Sequence, residues 1–172
     1  MKVLVTGAGG MLGTDVCRLL AERGHTVIAT GRRDGLVPLD VTDTGQTRAV
    51  IAGHRPDTVL HCAAWTDVDG AEREPEGAYR GNALSAWNVA AAAAETGARA
   101  VYVSTDFVFD GEKTTPYTEF DRTCPLGVYG ASKEAGEQLF RRTLPDRHMI
   151  VRTSWLFGAN GKCFPKTVLR LA

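Results

Sequence analysis

The chain has 172 residues, of which 44% are apolar and 23% charged, the balance of an ordinary globular domain with a full core. Lysine plus arginine and aspartate plus glutamate each number 20, so the formal net charge is zero and there is no electrostatic footprint for nucleic acid or a membrane surface. Cys17, Cys62, Cys124 and Cys163 are widely spaced without a CxxC pair, which argues against a disulfide framework or a zinc site and for a reducing cytoplasm. No apolar stretch reaches membrane-spanning length, and the N-terminus reads as a strand, not a signal peptide.

Met1–Thr6 is apolar, β-branched and too brief for a helix, so it is predicted as a buried strand. Gly7-Ala8-Gly9-Gly10-Met11-Leu12-Gly13 follows without a gap, and an amphipathic run from Leu12 to Arg23 then stops at Gly24. A strand, a glycine turn and a helix N-terminus make an anion site, because backbone N–H groups and the helix dipole both favour negative charge. Gly7 permits the tight turn, Gly10 lets a pyrophosphate approach the backbone, and Gly13 lets the helix lie close to the strand.

His25–Thr30 is the second strand. Beyond it, where an acid would bind the 2′-hydroxyl of NAD, stand Arg32 and Arg33. Guanidinium groups suit a 2′-phosphate and favour NADP; Asp34 is the residue that would serve NAD instead. Leu39–Asp43 reads as a short strand and turn, with Asp43 or Thr44 capping a helix towards Ala52. Thr58–Ala63 is another buried strand, and Ala63-Ala64-Trp65-Thr66 at its end carries small residues where a backbone passes close to a ligand.

One long helix is predicted from about Glu74 to Thr96, alanine-rich from Val89 to Ala94, with Asn82 inside it as a solvated or back-bonding residue. Ala100–Ser104 is the next strand, Val128–Thr143 a helix and Met149–Thr153 the last strand. The alternation predicts an α/β fold, a doubly wound parallel sheet covered on both faces, with ligands beyond the carboxyl ends of the strands. Those ends carry Gly7–Gly13, Arg32, Asp40, Ala63–Thr66 and Thr105.

Tyr129 and Lys133 stand four residues apart, on one face of a helix. A free tyrosine, with a pKa of about 10, is too weak an acid for easy work near neutrality. A nearby ammonium favours the phenolate, so Lys133 is expected to shift Tyr129 the useful way. With the Thr105 hydroxyl, the pair polarises and protonates a carbonyl oxygen while a nicotinamide delivers hydride to its carbon.

Gly7–Gly13 with Tyr129-xxx-Lys133 resembles the extended short-chain dehydrogenase/reductase superfamily, a Rossmann-type fold. The finer resemblance is to the dTDP-4-dehydrorhamnose reductase family. It rests on Leu39–Asp43, Ala63–Asp69, Ser104–Gly111, Pro125–Gly130, Gly136-Glu137 and Arg152–Trp155. The resemblance implies that Tyr129 protonates the C4 oxygen, Lys133 holds the nicotinamide ribose and tunes Tyr129, and Thr105 hydrogen-bonds the reacting oxygen. It implies that Gly10, Met11 and Leu12 touch the pyrophosphate, and Asp40 and Val41 the adenine. Ala64, Trp65, Thr66 and Val103 would line the nicotinamide path, and Asp106 and Trp155 would contact the sugar nucleotide. The implied cofactor is NADPH, with NADH as the alternative. The implied substrate is a 4-keto-6-deoxy sugar nucleotide of dTDP-rhamnose biosynthesis. A homodimer is compatible with the resemblance. Some members hold Mg2+ at a dimer contact; Asp15 stands where one ligand would be, but no other ligand is visible and no metal is assigned.

Residues 1–172 are thus expected to form one NAD(P)-binding domain. The chain ends at Leu169–Ala172 in what reads as mid-helix, lacking most of the C-terminal substrate region found in full-length members. Phe107 follows Asp106 where related dehydratases place a glutamate, so ketone reduction fits better than loss of water. Two alternatives stay open: an NADP-binding regulatory subunit without catalysis, and another reductase or epimerase of sugar nucleotides.

Overall fold

The computed structural model describes residues 1–161 and 163–171. Its centre is a sheet of β1 (Lys2–Thr6), β2 (Thr26–Gly31), β3 (Val37–Pro38), β4 (Thr58–His61), β5 (Arg99–Thr105) and β6 (His148–Thr153). All neighbours are parallel, in the order β3-β2-β1-β4-β5-β6. The order reverses between β1 and β4, where Thr6 lies beside His61, and such a reversal opens a crevice at the carboxyl ends.

Alternation along the strands builds two cores. Leu4, Ile28, Val59, Ala100 and Tyr102 face one way, against residues of α2 (Thr44–His54), α5 (Ser85–Thr96) and α6 (Val128–Thr143). Val3, Val5, Val27, Ala29 and Leu60 face the other way, towards Val16, Cys17 and Leu20 of α1 (Met11–Glu22). The buried alanines of α5 let it lie close to the sheet, as their spacing predicts. The second layer thins at β6, where Met149 and Val151 are exposed. The last helix, α7 (Phe164–Leu171), agrees with the helical reading of the end of the chain; Ala172 lies outside the described residues.

Two elements differ from the sequence reading. The strand expected within the strand and turn of Leu39–Asp43 lies earlier, at Val37–Pro38. Asp40 begins a turn instead, its carboxylate accepting from the Thr42 N–H at 2.9 Å and the Thr42 hydroxyl at 2.8 Å, a local bond that competes with a strand ladder. Asp43 then caps α2 by accepting from the Gln46 N–H at 2.8 Å. The long helix from Glu74 is also broken. A separate helix, α3 (Val68–Arg73), precedes it, and α4 (Pro75–Tyr79) runs through a π-helical turn (Arg80–Leu84) into α5. Glu74 leaves helical geometry before Pro75, as residues preceding proline do.

Close backbone approaches fix α1 and α6. A Cβ added at Gly13 would sit 2.2 Å from the Gly7 carbonyl oxygen, and one at Gly130 2.1 Å from that of Phe107. Glu72 of α3 supplies the missing cap of α6, accepting from the Val128 N–H at 2.7 Å.

Gly13→Ala is therefore expected to destabilise the chain by about 1–3 kcal/mol or more, since backbone must move. Gly53→Ala, in α2 with open space around it, should stabilise by up to about 1 kcal/mol. Urea unfolding of the two variants checks this; equal midpoints would show that α1 is not packed by Gly13.

Candidate active site

The turn after β1 is built as an anion seat. Gly7 adopts φ +65°, and the Gly10 N–H closes the turn on the Gly7 carbonyl at 2.9 Å. Gly10 begins α1 without a side-chain cap, and no acidic residue occupies the first turn. The first N–H groups of α1, at Met11 and Leu12, are thus left for an anion and not for a serine or aspartate of the chain. Gly7 also stands against the segment that leaves β4, its added Cβ 2.8 Å from the Ala63 nitrogen, so the turn closes one side of the β1–β4 crevice.

Arg32 and Arg33 are exposed at the end of β2 and form no salt bridge among the described residues. They point differently. The Arg33 side chain lies over Gly9 of the turn. The Arg32 charge acts on Asp40, whose carboxyl is held below its ordinary value mainly by the Thr42 hydrogen bonds. The residues present fit a dinucleotide with an added phosphate: uncapped N–H groups, a glycine-rich turn and a guanidinium beside it.

Beyond β4, Ala63-Ala64-Trp65-Thr66 runs as an irregular segment held by a residue that the sequence reading took as solvated or back-bonding. Asn82 is completely buried in the π-helical turn. Its amide oxygen accepts from the Trp65 N–H at 2.9 Å, and its nitrogen donates to the Trp65 carbonyl at 3.2 Å and the Ser132 hydroxyl at 2.9 Å. One side chain thereby ties this segment to α6, next to Lys133. The signal available in the sequence was weak: an asparagine between glycine and alanine, shortly before an alanine-rich run. The π turn rotates Asn82 inward. Trp65 itself lies over Gly77 and Gly81, which have no side chain to obstruct it.

Thr105, Tyr129 and Lys133 meet at the carboxyl end of β5. The Thr105 hydroxyl contacts Asp106 at 3.1 Å and accepts from the Phe107 N–H at 3.2 Å, while the Phe107 ring meets Tyr129 edge-on at 5.6 Å. Val103 serves from the same strand: its carbonyl accepts from the Lys133 Nζ at 2.7 Å. Lys133 is 2% exposed, and its ammonium sits 4.1 Å from the centre of the Tyr102 ring. Burial lowers its pKa from 10.5 to about 7, partly offset by Glu137 and Cys62. The expectation that Lys133 pulls the phenol down is not met. Burial raises Tyr129, the Asp106 charge adds to this, and it is the Thr105 hydroxyl that opposes them. The physical reason is that Lys133 is directed at the Val103 carbonyl and its own charge is partly lost to burial.

Trp155 is 75% exposed at φ +52°, a strained backbone for tryptophan, with its ring edge-on to Phe164 at 5.3 Å. It is not gathered with the Tyr129 group by any of these contacts. Asp15 lies near Arg18 at 3.7 Å and accepts from Asn160 at 3.4 Å. No cluster of three or more metal-binding side chains occurs among the described residues, nor is any described helix long and apolar enough to cross a membrane.

A family model described as the RmlD substrate binding domain matches residues 1–172. The chain is 46% identical over 168 residues to a dTDP-4-dehydrorhamnose reductase of Streptomyces griseus, covering 98% of this chain and 54% of that protein. Among solved structures, a dTDP-4-dehydrorhamnose reductase from Bacillus anthracis in complex with NADP aligns with a TM-score of 0.92 at 42% identity, over 99% of this chain and 59% of that one. A UDP-glucose 4-epimerase from Thermotoga maritima shares the fold, with a TM-score of 0.88 at 21% identity, over 98% of this chain and 61% of that one. The chain spans just over half the length of the curated relatives it matches.

Asn82→Ala should cost about 1–3 kcal/mol, because it strands the buried partners at Trp65 and Ser132. Denaturant unfolding measures it; a variant as stable as the parent would show that the clamp holds nothing.

Proposed function

We propose, since the chain belongs to the RmlD substrate binding domain family, that it forms the cofactor-binding and proton-donating part of an NADP(H)-dependent reductase of a 4-keto-6-deoxy sugar nucleotide. The reaction is most like the conversion of dTDP-4-dehydro-L-rhamnose to dTDP-L-rhamnose. In this reading residues 1–172 act as one dinucleotide-binding domain. The observation that carries it is the convergence of Thr105, Tyr129 and Lys133 on the sheet edge that also holds the uncapped glycine turn.

The turn Gly7–Gly13, with the N–H groups of Met11 and Leu12, holds the pyrophosphate, and Gly10 keeps the approach open. Asp40 and Val41 bound the adenine, and Arg33 and Arg32 face the 2′-phosphate. Ala63, Ala64, Trp65, Thr66 and Val103 flank the path to the nicotinamide, which supplies hydride when bound. Thr105 donates a hydrogen bond to the substrate carbonyl oxygen, and Tyr129 gives that oxygen its proton as negative charge develops. Lys133 would hold the nicotinamide ribose through its ammonium. Asp106 and Trp155 face the sugar nucleotide. Phe107 offers a ring and no second acid beside Asp106, which supports reduction over dehydration.

Tyr129→Phe is expected to lower NADPH oxidation with a dTDP-4-keto-6-deoxy sugar by about 100-fold or more while leaving NADPH affinity nearly unchanged. Turnover equal to the parent's would end the assignment. Replacing Arg32 and Arg33 by alanine should weaken NADPH about tenfold or more and NADH little. Titration by cofactor fluorescence decides this, and equal weakening of the two would remove the case for NADP.

A further inference from the structure

The proposed mechanism leaves one buried acid unused. Glu137 follows Lys133 by one helical turn, as Lys133 follows Tyr129, so the three share the inner face of α6. Its side chain is completely buried. Arg152 of β6 grips it with two bonds, Nε to one carboxylate oxygen at 2.9 Å and an Nη nitrogen to the other at 2.6 Å. Arg141, one turn further along α6, adds a third at 3.1 Å. The Arg152 guanidinium also lies 4.8 Å from the centre of the Phe109 ring, in the loop that leaves Thr105. A bidentate pair of this kind fixes direction as well as charge.

We propose that Glu137 is a positioning residue acting through Lys133: its caged carboxylate, one turn behind the ammonium, keeps that ammonium charged and seated on the Val103 carbonyl. The proposal rests on the reductase reading above and assigns that site a residue behind its proton donor. A lysine at 2% exposure has almost no water to stabilise its charge. The groups facing it from the surrounding elements are few. From β4 comes His61, whose ring burial and the Lys133 charge bring down to about 3, and just beyond the strand Cys62, whose thiol burial pushes up to about 12. From β5 comes the neutral Tyr102 ring, and from α6 Tyr129 and Glu137. Cys62 and Tyr129 stay neutral near pH 7, because burial raises both. Glu137 is the one carboxylate in this set, and its attraction favours the charged form of Lys133, together with the Val103 carbonyl and the cation–π contact with Tyr102. Arg152 keeps the carboxylate from swinging towards solvent, and it spends part of that negative field on itself.

The chain has five lysines, Lys2, Lys113, Lys133, Lys162 and Lys166, so the Lys133 side chain can be followed by NMR in lysine-labelled protein, with Lys133→Arg identifying its signal. In the parent it should titrate near pH 7. Glu137→Gln should lower that midpoint by about one pH unit or more. Arg152→Gln, which frees the carboxylate from its main partner, should raise it. A purely structural role would lower the unfolding midpoint of both variants and leave the Lys133 titration in place, or move it in the same direction in both; either result overturns the proposal. If Glu137→Gln does not fold, an unmoved titration in Arg152→Gln overturns it alone. NADPH affinity measured against pH should fall as Lys133 loses its proton. Failure of the parent to bind NADPH at any pH would sink the reductase reading, while the lysine titration would still decide the role of Glu137.

Discussion

A lysine ammonium enclosed between a sheet and a helix sets the terms for the rest of this structure. Lys133 cannot be hydrated, so the protein must match its charge from within. The matching groups come from different elements: the Val103 carbonyl and Tyr102 ring from β5, and Glu137 from α6 itself. Helix and strand are therefore held in one register by an electrostatic requirement as well as by packing. Tyr129, one turn before Lys133, inherits its place from that register, and Thr105 meets it because the same strand carries both Val103 and Thr105.

The close approach that this requires is possible only where side chains are absent. Gly136 faces the Tyr102 hydroxyl and the Asn82 carbonyl, with an added Cβ at 2.6 and 2.8 Å, and Gly130 faces the Phe107 carbonyl. At the other end of the crevice Gly13 does the same for α1 and the glycine turn. The carboxyl edge of the sheet is thus lined by backbone brought within reach of a ligand, and the polar side chains that remain there are few and fixed.

Fixing them is the work of buried polar residues away from the reacting groups. Asn82 binds the segment after β4 to α6, Glu137 binds α6 to β6, and Arg152 extends that link to the loop after Thr105. Each of these is costly to bury alone and is satisfied chiefly by partners on other elements. Together they convert a standard parallel sheet into a site with one arrangement of its hydroxyls and its ammonium.

Local chemistry was enough to read the strand alternation, the glycine turn, α6 to the residue, and the shared helix face of Tyr129 and Lys133. Those features follow from periodicity, from backbone freedom at glycine, and from helical spacing, all properties of neighbouring residues. The π turn and the burial of Asn82, the cap that Glu72 gives α6, the direction of the Tyr129 shift and the cage around Glu137 were decided by the tertiary structure. The buried contacts join residues 15 to 56 positions apart in the chain, such as Glu137 with Arg152, Asn82 with Trp65 and Glu72 with Val128, and the Tyr129 shift depends on how completely the group is removed from water. Burial is a property of the assembled layers, and no spacing within a single segment contains it.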